Sequence, residues 1–494
     1  MRGSETSLLG RQKMSISQQR IQVLAALIAA LLAAANLSLA QTEATSTQAD
    51  QQALSLTVYK NIAVVRDVRR LRLPTGHVHL RFADVAPQIE PATVQVISLT
   101  APKQLEVLEQ DYRYDLLSPQ KLLQKYVGKQ VTLIRQITEN NSTKEVSMKA
   151  TLLSDNNGPI WQVGDEIITG MPTDHYVFPS LPPDLYSKPT LVWLVDNRYA
   201  GEQRIEADYI TNSVNWTADY VLTLPAEASV AELSSWVTIT NSSGIGFDNT
   251  QLQLVAGQVQ LPGTAPRPMF RAQAMVAGGV AAPGIAQEPL SEYHLYTIER
   301  RVTLPNESSK QIAFLHASGI KVQKTYDING QQFYYYSPFQ GGRPCNQPVQ
   351  AHLKFKNSKD NSLGVPLPAG TVRVYEADSK GQLQLVGAEN IDHTPKDETL
   401  NLYIGNAFDV TAERKQTDFE TLGKDVYESA FQVTIRNHKK QPITVEVNEP
   451  MGGEWTVLQS NFKYEKTSAF SIRFTVPVPA EGQSVLTYRV RTHR

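Results

Sequence analysis

The chain has 494 residues, with 47 lysines and arginines against 48 acids, a formal net charge of −1 and no long block of either sign, which excludes long-range attraction to nucleic acid as the basis of its function. Its one cysteine, Cys345, excludes an intrachain disulfide, so the fold has to hold through buried apolar cores. At roughly 150 residues per domain the length suits about three domains.

Arg11, Lys13 and Arg20 precede an apolar run over 21–37 that is closed by Ser38-Leu39-Ala40. This is the pattern of a cleavable export signal over residues 1–40, with cleavage near Ala40. The residues before Met14 are atypical of a leader and point to Met14 as a translation start. A polar segment over 41–52 follows and reads as a flexible linker, so the mature protein is expected in the periplasm or outside the cell. Beyond the leader no apolar run approaches the roughly 20 residues of a membrane-spanning helix.

Over 53–117 the hydrophobic period is two. Leu54, Leu56 and Val58 alternate with Ser55 and Thr57, and Val78, Leu80 and Phe82 alternate with His77, His79 and Arg81. Ser118 and Pro119 read as the cap and first residue of one short helix, with Leu122, Leu123 and Tyr126 on one side and Gly128 as its terminator. Strands at 131–134, 146–153 and 160–168, separated by Asn140-Asn141 and Asn156-Asn157-Gly158, complete a small inserted β-barrel-like unit over 118–180.

Strands at 190–195, 203–210, 218–224, 235–240 and 251–256 predict a central β-sandwich over 181–261. Residues 262–290, rich in proline, glycine and alanine, read as a mobile linker. A C-terminal β-sandwich is expected over 291–494. In it, 321–328 and 333–336 form a hairpin about Asn329-Gly330, and Phe431, Val433, Ile435, Ile472, Phe474, Val476 and Val478 supply buried rows. The fold class is therefore mainly β: tandem antiparallel, immunoglobulin-like sandwiches with one small inserted β unit and one short helix.

Chemistry is harder to find. His77 and His79 share one strand face, as zinc ligands often do, but zinc needs at least a third protein ligand and none lies nearby, so they read as surface residues. Glu109, Asp111 and Asp115 lie in one row beside Arg113, whereas glycoside hydrolysis needs carboxyls on opposite sides of the scissile bond. Arg66, Arg69, Arg70 and Arg72 read as a solvated strand face. Cys345 reads as structural, and Trp193, Trp216, Trp236 and Trp455 as sandwich core. No Gly-x-Ser-x-Gly elbow, His-Glu-x-x-His or phosphate loop is present, so no catalytic residue, metal or cofactor is assigned.

The remaining candidates are aromatic. Tyr334, Tyr335 and Tyr336, flanked by Phe333 and Phe339, put at least one ring outside the core if they form a strand. Exposed rings stack on sugars or fill a partner's pocket, which makes these three tyrosines the candidate binding residues.

Several phrases resemble a known family. Leu56-Thr57-Val58-Tyr59, Leu73-Pro74-Thr75-Gly76 and Leu80-Arg81-Phe82 before Ile89 and Pro91 resemble the N-terminal segment of mucoidy inhibitor A-like proteins. The runs Val214-Asn215-Trp216-Thr217-Ala218-Asp219-Tyr220 and Trp236-Val237-Thr238-Ile239-Thr240-Asn241-Ser242-Ser243-Gly244, with Asn437, Val445, Glu449, Trp455 and Tyr488-Arg489-Val490, resemble the domain of unknown function 4139 of those proteins. Where that pattern carries a coiled coil, this chain carries the compact insert. The resemblance implies a β-rich bacterial envelope protein connected with surface polysaccharide, and brings no catalytic residues. The expected function is thus non-enzymatic binding of an envelope protein or polysaccharide. The alternatives are a hydrolase acting on an envelope polymer and a self-associating architectural protein.

Overall fold

A computed structural model describes residues 42–139, 142–182, 184–225, 230–257, 259 and 285–493. The expected leader lies outside these residues. The described chain is mostly β, and its contacts divide it into two compact units. Among the described residues no helix is long and apolar enough to cross a membrane.

The first unit contains the described residues up to Ala53, together with Asp67–Pro87 and Val94–Asp208. Its four-stranded sheet runs in the order Thr42–Ser46, Gly76–Ala83, Thr190–Asn197, Leu105–Arg113. The segment expected to be a flexible linker is ordered instead: Thr42–Ser46 pairs in parallel with 78–82, and Gln48–Asp50 is a 3-10 turn whose Thr47 and Asp50 cap each other. Backbone pairing outweighs the polar composition there.

The insert is an open five-stranded sheet in the order Glu166–Thr169, Ile160–Val163, Ser142–Ser154, Gln130–Glu139, His175–Val177. Residues 160–168, expected as one strand, form two, because the chain turns at Gly164 with φ 59°. The helix Pro119–Lys125 starts at Ser118, whose hydroxyl accepts from Lys121 N at 3.2 Å, and it seats Leu123 and Tyr126 against Leu133, Leu152 and Trp161.

The second unit comprises Leu54–Arg66, Gln88–Thr93 and Tyr209–Arg494. Of the strand Glu202–Leu224, which spans the two segments expected at 203–210 and 218–224, this unit takes the part from Tyr209 on, where Ser213 has φ 62°. Around it runs the order Tyr293–Leu304, Phe247–Ala256, Gln51–Val58, Asn61–Arg72, Glu202–Leu224, Val230–Asn241, Ser308–Lys321. Of the linker expected over 262–290, Ile285–Leu290 is a strand paired with Tyr293–Leu304, and 262–284 lies outside the described residues.

The C-terminal part of this unit is a two-sheet sandwich. One sheet runs Thr399–Asn406, Gln350–Lys356, Gln323–Asn329, Ile443–Pro450, Ser471–Val478, Tyr464–Ser468; the other runs Cys345–Gln347, Val410–Gly423, Val426–Asn437, Gly482–His493, Glu454–Ser460. Ile328, Val445, Val447 and Phe474 from the first meet Phe431, Val433, Leu486 and Val490 from the second in one buried cluster.

One device recurs. Asn197, Asn241 and Asn437 each end a strand, are buried, and face the first residue after a proline-containing hairpin: Gly76, Ser308 and Gly482. Each amide donates to the hairpin carbonyl of Pro74, Pro305 or Pro479, at 2.8, 3.1 and 2.9 Å. Each side-chain oxygen accepts from the backbone N–H two residues on, at Tyr199, Ser243 and Lys439. The chain thus builds the same strand-end latch three times, satisfying loop groups that burial would otherwise leave unpaired.

Candidate functional site

The tyrosine row does not return as a strand. Gln332–Tyr335 is a 3-10 turn, and the antiparallel partner of Gln323–Asn329 is Gln350–Lys356. The turn tucks Tyr334 and Tyr335 into the open end of the C-terminal sandwich, where the Tyr335 ring lies 5.6 Å from Phe431 and Tyr334 lies 4.5 Å from Phe339. Closing that end buries more aromatic surface than an exposed edge strand would, and this is the physical reason for the difference. Tyr336 is half-buried.

Two strands explain how this end is built. In Val410–Gly423 the inward row reads Val410, Ala412, Arg414, Gln416; in Ile443–Pro450 it reads Val445, Val447, Glu449. Both rows change from apolar to polar at the same end. Arg414 Nη2 meets Glu449 Oε1 at 2.5 Å, with both side chains fully buried. Tyr335 donates to Glu449 Oε2 at 2.7 Å, Arg414 Nη1 donates to Tyr488 Oη at 2.8 Å, and the two tyrosine hydroxyls are 3.1 Å apart. Burial, and then the Glu449 charge, hold the Tyr335 hydroxyl far above its ordinary range, so it acts as a donor. Gln416 fixes the turn above, accepting from Phe339 N at 2.6 Å and donating to the carbonyls of Tyr334 and Ser337.

Above this polar layer sits an aromatic end. The Tyr336 ring is 6.0 Å from Tyr427, which stacks at 6.0 Å on Phe419. A Cβ at Gly452 would collide with the Tyr336 hydroxyl and the Gln332 amide, so the backbone of the next loop lies directly against that ring. The neighbouring Met451 N donates to the carbonyl of Phe470, and Trp455 donates to the carbonyl of Ala469 at 2.9 Å. Phe333 and Phe470 are 56% and 61% exposed, so this end offers ring surface to solvent on a backbone fixed from below.

The other candidates separate. His77 and His79 share the outer face of their sheet, opposite Asp196 and Leu194, and among the described residues no group of three or more His, Cys, Asp or Glu is placed to hold a metal. Arg113 pairs with Asp111 at 2.7 Å, whereas Asp115 is held by Lys121 and Lys125, whose hydrogen bonds lower its pKa. Arg69 leaves the expected solvated face: it is buried, with its guanidinium 2.8 Å from Asp67 and 3.5 Å over the Phe82 ring. Val68 and Leu71 do not set a strict alternation there, and Asp67 supplies the counter-charge that makes burial possible.

Trp193 and Trp216 are core residues, but Trp236 is 44% exposed, because the buried phase of its strand is set by Leu233, Ser235, Val237 and Ile239. Trp455 is half-buried beneath Lys466. Cys345 is a free thiol at the edge of the five-stranded sheet.

Sequence reasoning missed Arg414 and Gln416. The signal was present: a charged residue in phase with a buried apolar row, on each of two strands.

No curated protein matches this chain. Residues 205–452, half of its 494 residues, match the family described as Domain of unknown function (DUF4139). That span holds the tyrosine turn, Arg414 and Glu449, and the chain belongs to the DUF4139 family.

Proposed function

We propose that this protein is an exported, non-enzymatic binding protein of the bacterial envelope, and that the aromatic end of its C-terminal sandwich engages surface polysaccharide. The observation that carries the reading is the exposed ring of Phe333, on the turn that Gln416 fixes over the Arg414–Glu449 layer, together with the exposed ring of Phe470, whose carbonyl is held by Met451 N. Rings held on a rigid base present their faces to sugar C–H groups with little conformational entropy left to lose. The export signal read from residues 1–40 and the resemblance to mucoidy inhibitor A-like proteins belong to the same proposal and support an envelope location.

Co-sedimentation of the purified chain with insoluble envelope polysaccharide tests it. The chain is expected in the pellet, and Phe333→Ser combined with Tyr336→Ser is expected to leave it in the supernatant. Retention that disappears after protease treatment of the fraction, and survives digestion of its glycans, would identify a protein partner instead. No retention contradicts the proposal.

A further inference from the structure

A second surface lies on the sheet around Glu202–Leu224. Gly370–Ala377 runs in parallel beside its residues 218–224, and Leu383–Ile391 pairs with that strand in turn. Val230–Asn241 lies on the other side. The registers align one residue from each strand: Trp236 stands opposite Asp219, Asp219 opposite Thr371, and Thr371 opposite Asn390. Directly opposed residues share a face, so these four side chains form one row across the sheet. With neighbouring strands about 4.8 Å apart, the row is about 14 Å long.

The row is open to solvent. Trp236 is 44% exposed, the Asp219 side chain is 26% exposed, and Asn390 is exposed. At the far end from the indole, Thr371, Ala388, Glu389 and Asn390 line an open hollow of about 520 Å³. The polar groups are also held in place. Asp219 accepts from Arg373 Nη1 at 2.9 Å and from the Thr238 hydroxyl at 3.3 Å, and Thr371 donates to Asn390 Oδ1 at 2.8 Å. A carboxylate has about four acceptor positions, so Asp219 keeps acceptor capacity for a ligand, as the Asn390 amide keeps its donors.

These features select the occupant. Arg373 matches the charge of Asp219, and the ionisable residue lining the hollow is the acid Glu389, so an anionic ligand meets no surplus cation. Protein interfaces centre on clustered aromatic and aliphatic anchors, whereas this row has one ring followed by hydrogen-bonding groups. Sugar units, with C–H groups on their faces and hydroxyls at their rims, answer both parts of the row.

We propose that Trp236, Asp219 and Asn390 form a secondary binding site for a short run of uncharged sugar residues. One sugar stacks on Trp236, and hydroxyls further along the run donate to Asp219 and accept from Asn390 at the hollow. One ring and a few hydrogen bonds give about millimolar affinity, so the row adds a weak contact to a polymer that the aromatic end already holds. The proposal rests on the polysaccharide reading above but uses other residues, so the two can fail separately.

Titration calorimetry tests it on the full chain carrying Phe333→Ser with Tyr336→Ser, a reference in which the aromatic end is disabled and only this row is read. The probes are neutral oligomers of glucose, galactose and mannose, with oligomers of galacturonic acid and of glucosamine as charged contrasts. At least one neutral oligomer is expected to bind. Adding Trp236→Ala or Asn390→Ala should each weaken that binding about tenfold, the loss of one ring contact or one hydrogen-bonding group. Both side chains are exposed, so melting temperatures should match that of the reference.

No binding by any neutral oligomer would overturn the proposal. So would binding that either added substitution leaves at full strength, or tighter binding of a charged oligomer than of every neutral one. If the parent fails to co-sediment with polysaccharide while this binding persists, the aromatic end falls and the row stands. Co-sedimentation without this binding removes the row alone.

Discussion

Arg414 and Glu449, brought together from strands that do not neighbour each other in either sheet, form an ion pair at 2.5 Å with neither side chain exposed to solvent. The pair lies beneath the tyrosine turn and anchors it through Tyr335 and Tyr488. Removing one partner leaves a buried charge, which costs about 3–5 kcal/mol, so Glu449→Gln and Arg414→Met are each expected to lower the urea midpoint strongly. Replacing both by apolar residues of similar volume, Arg414→Met with Glu449→Leu, should recover most of that loss. If each single substitution proves harmless, the pair does not hold this end of the sandwich. Gly330→Ala should also destabilise, because a Cβ there would collide with the Glu449 carboxylate while leaving every charge in place.

The three asparagine latches predict a second, independent set of losses. Asn241→Ala and Asn437→Ala each strand buried carbonyls, and each is expected to cost about 1–3 kcal/mol in chemical denaturation. Their strands belong to different sheets, so the two costs should add in the double variant. Strong non-additivity would show that the latches are not separate devices.

Asp327 predicts a pH dependence. Burial, the largest influence, raises its pKa above the ordinary 3.8 in spite of His352 and Lys354 nearby. The folded chain therefore keeps a proton there at pH values where the unfolded chain has released it. The contribution to stability is present below the ordinary value and is lost as pH rises through the raised one. Urea midpoints of the parent and Asp327→Asn should converge at about pH 4 and separate by about pH 7, with Asn the more stable at the higher pH. The opposite ordering at neutral pH would mean that the carboxylate is stabilised as an ion.

The helix of the insert offers a local test. Ser118→Ala removes the hydroxyl that accepts from Lys121 N and is expected to cost about 1 kcal/mol. Hydrogen exchange should show that loss first at 122–125 and in the insert's core around Leu133 and Trp161. Uniform protection would indicate that the cap is dispensable.

Alternation made most strands and the sandwich architecture legible, because period two marks the two faces of a strand directly. It does not say which face is buried when both carry large side chains, so Trp236 and Arg69 ended on the opposite sides from those expected. The tyrosine turn was illegible for another reason: Asn329-Gly330 is a good hairpin signal, but the space that takes Tyr334 and Tyr335 exists only once Arg414, Gln416 and Glu449 meet across the sandwich. The buried row of Thr325, Asp327 and His352 was invisible because these are ordinary surface residue types until pairing places His352 opposite Thr325. Conversely, Asn241 and Asn437 stood within the phrases that carried the family resemblance, without showing that they do the same work.

The central claim is that the C-terminal sandwich binds envelope polysaccharide, and affinity electrophoresis tests it most directly. The parent chain and the double variant Phe333→Ser with Tyr336→Ser are run through gels with and without extracted surface polysaccharide. The account predicts that polysaccharide slows the parent and that the double variant migrates as if none were present. Equal migration of the parent in both gels, or equal retardation of both proteins, would contradict it.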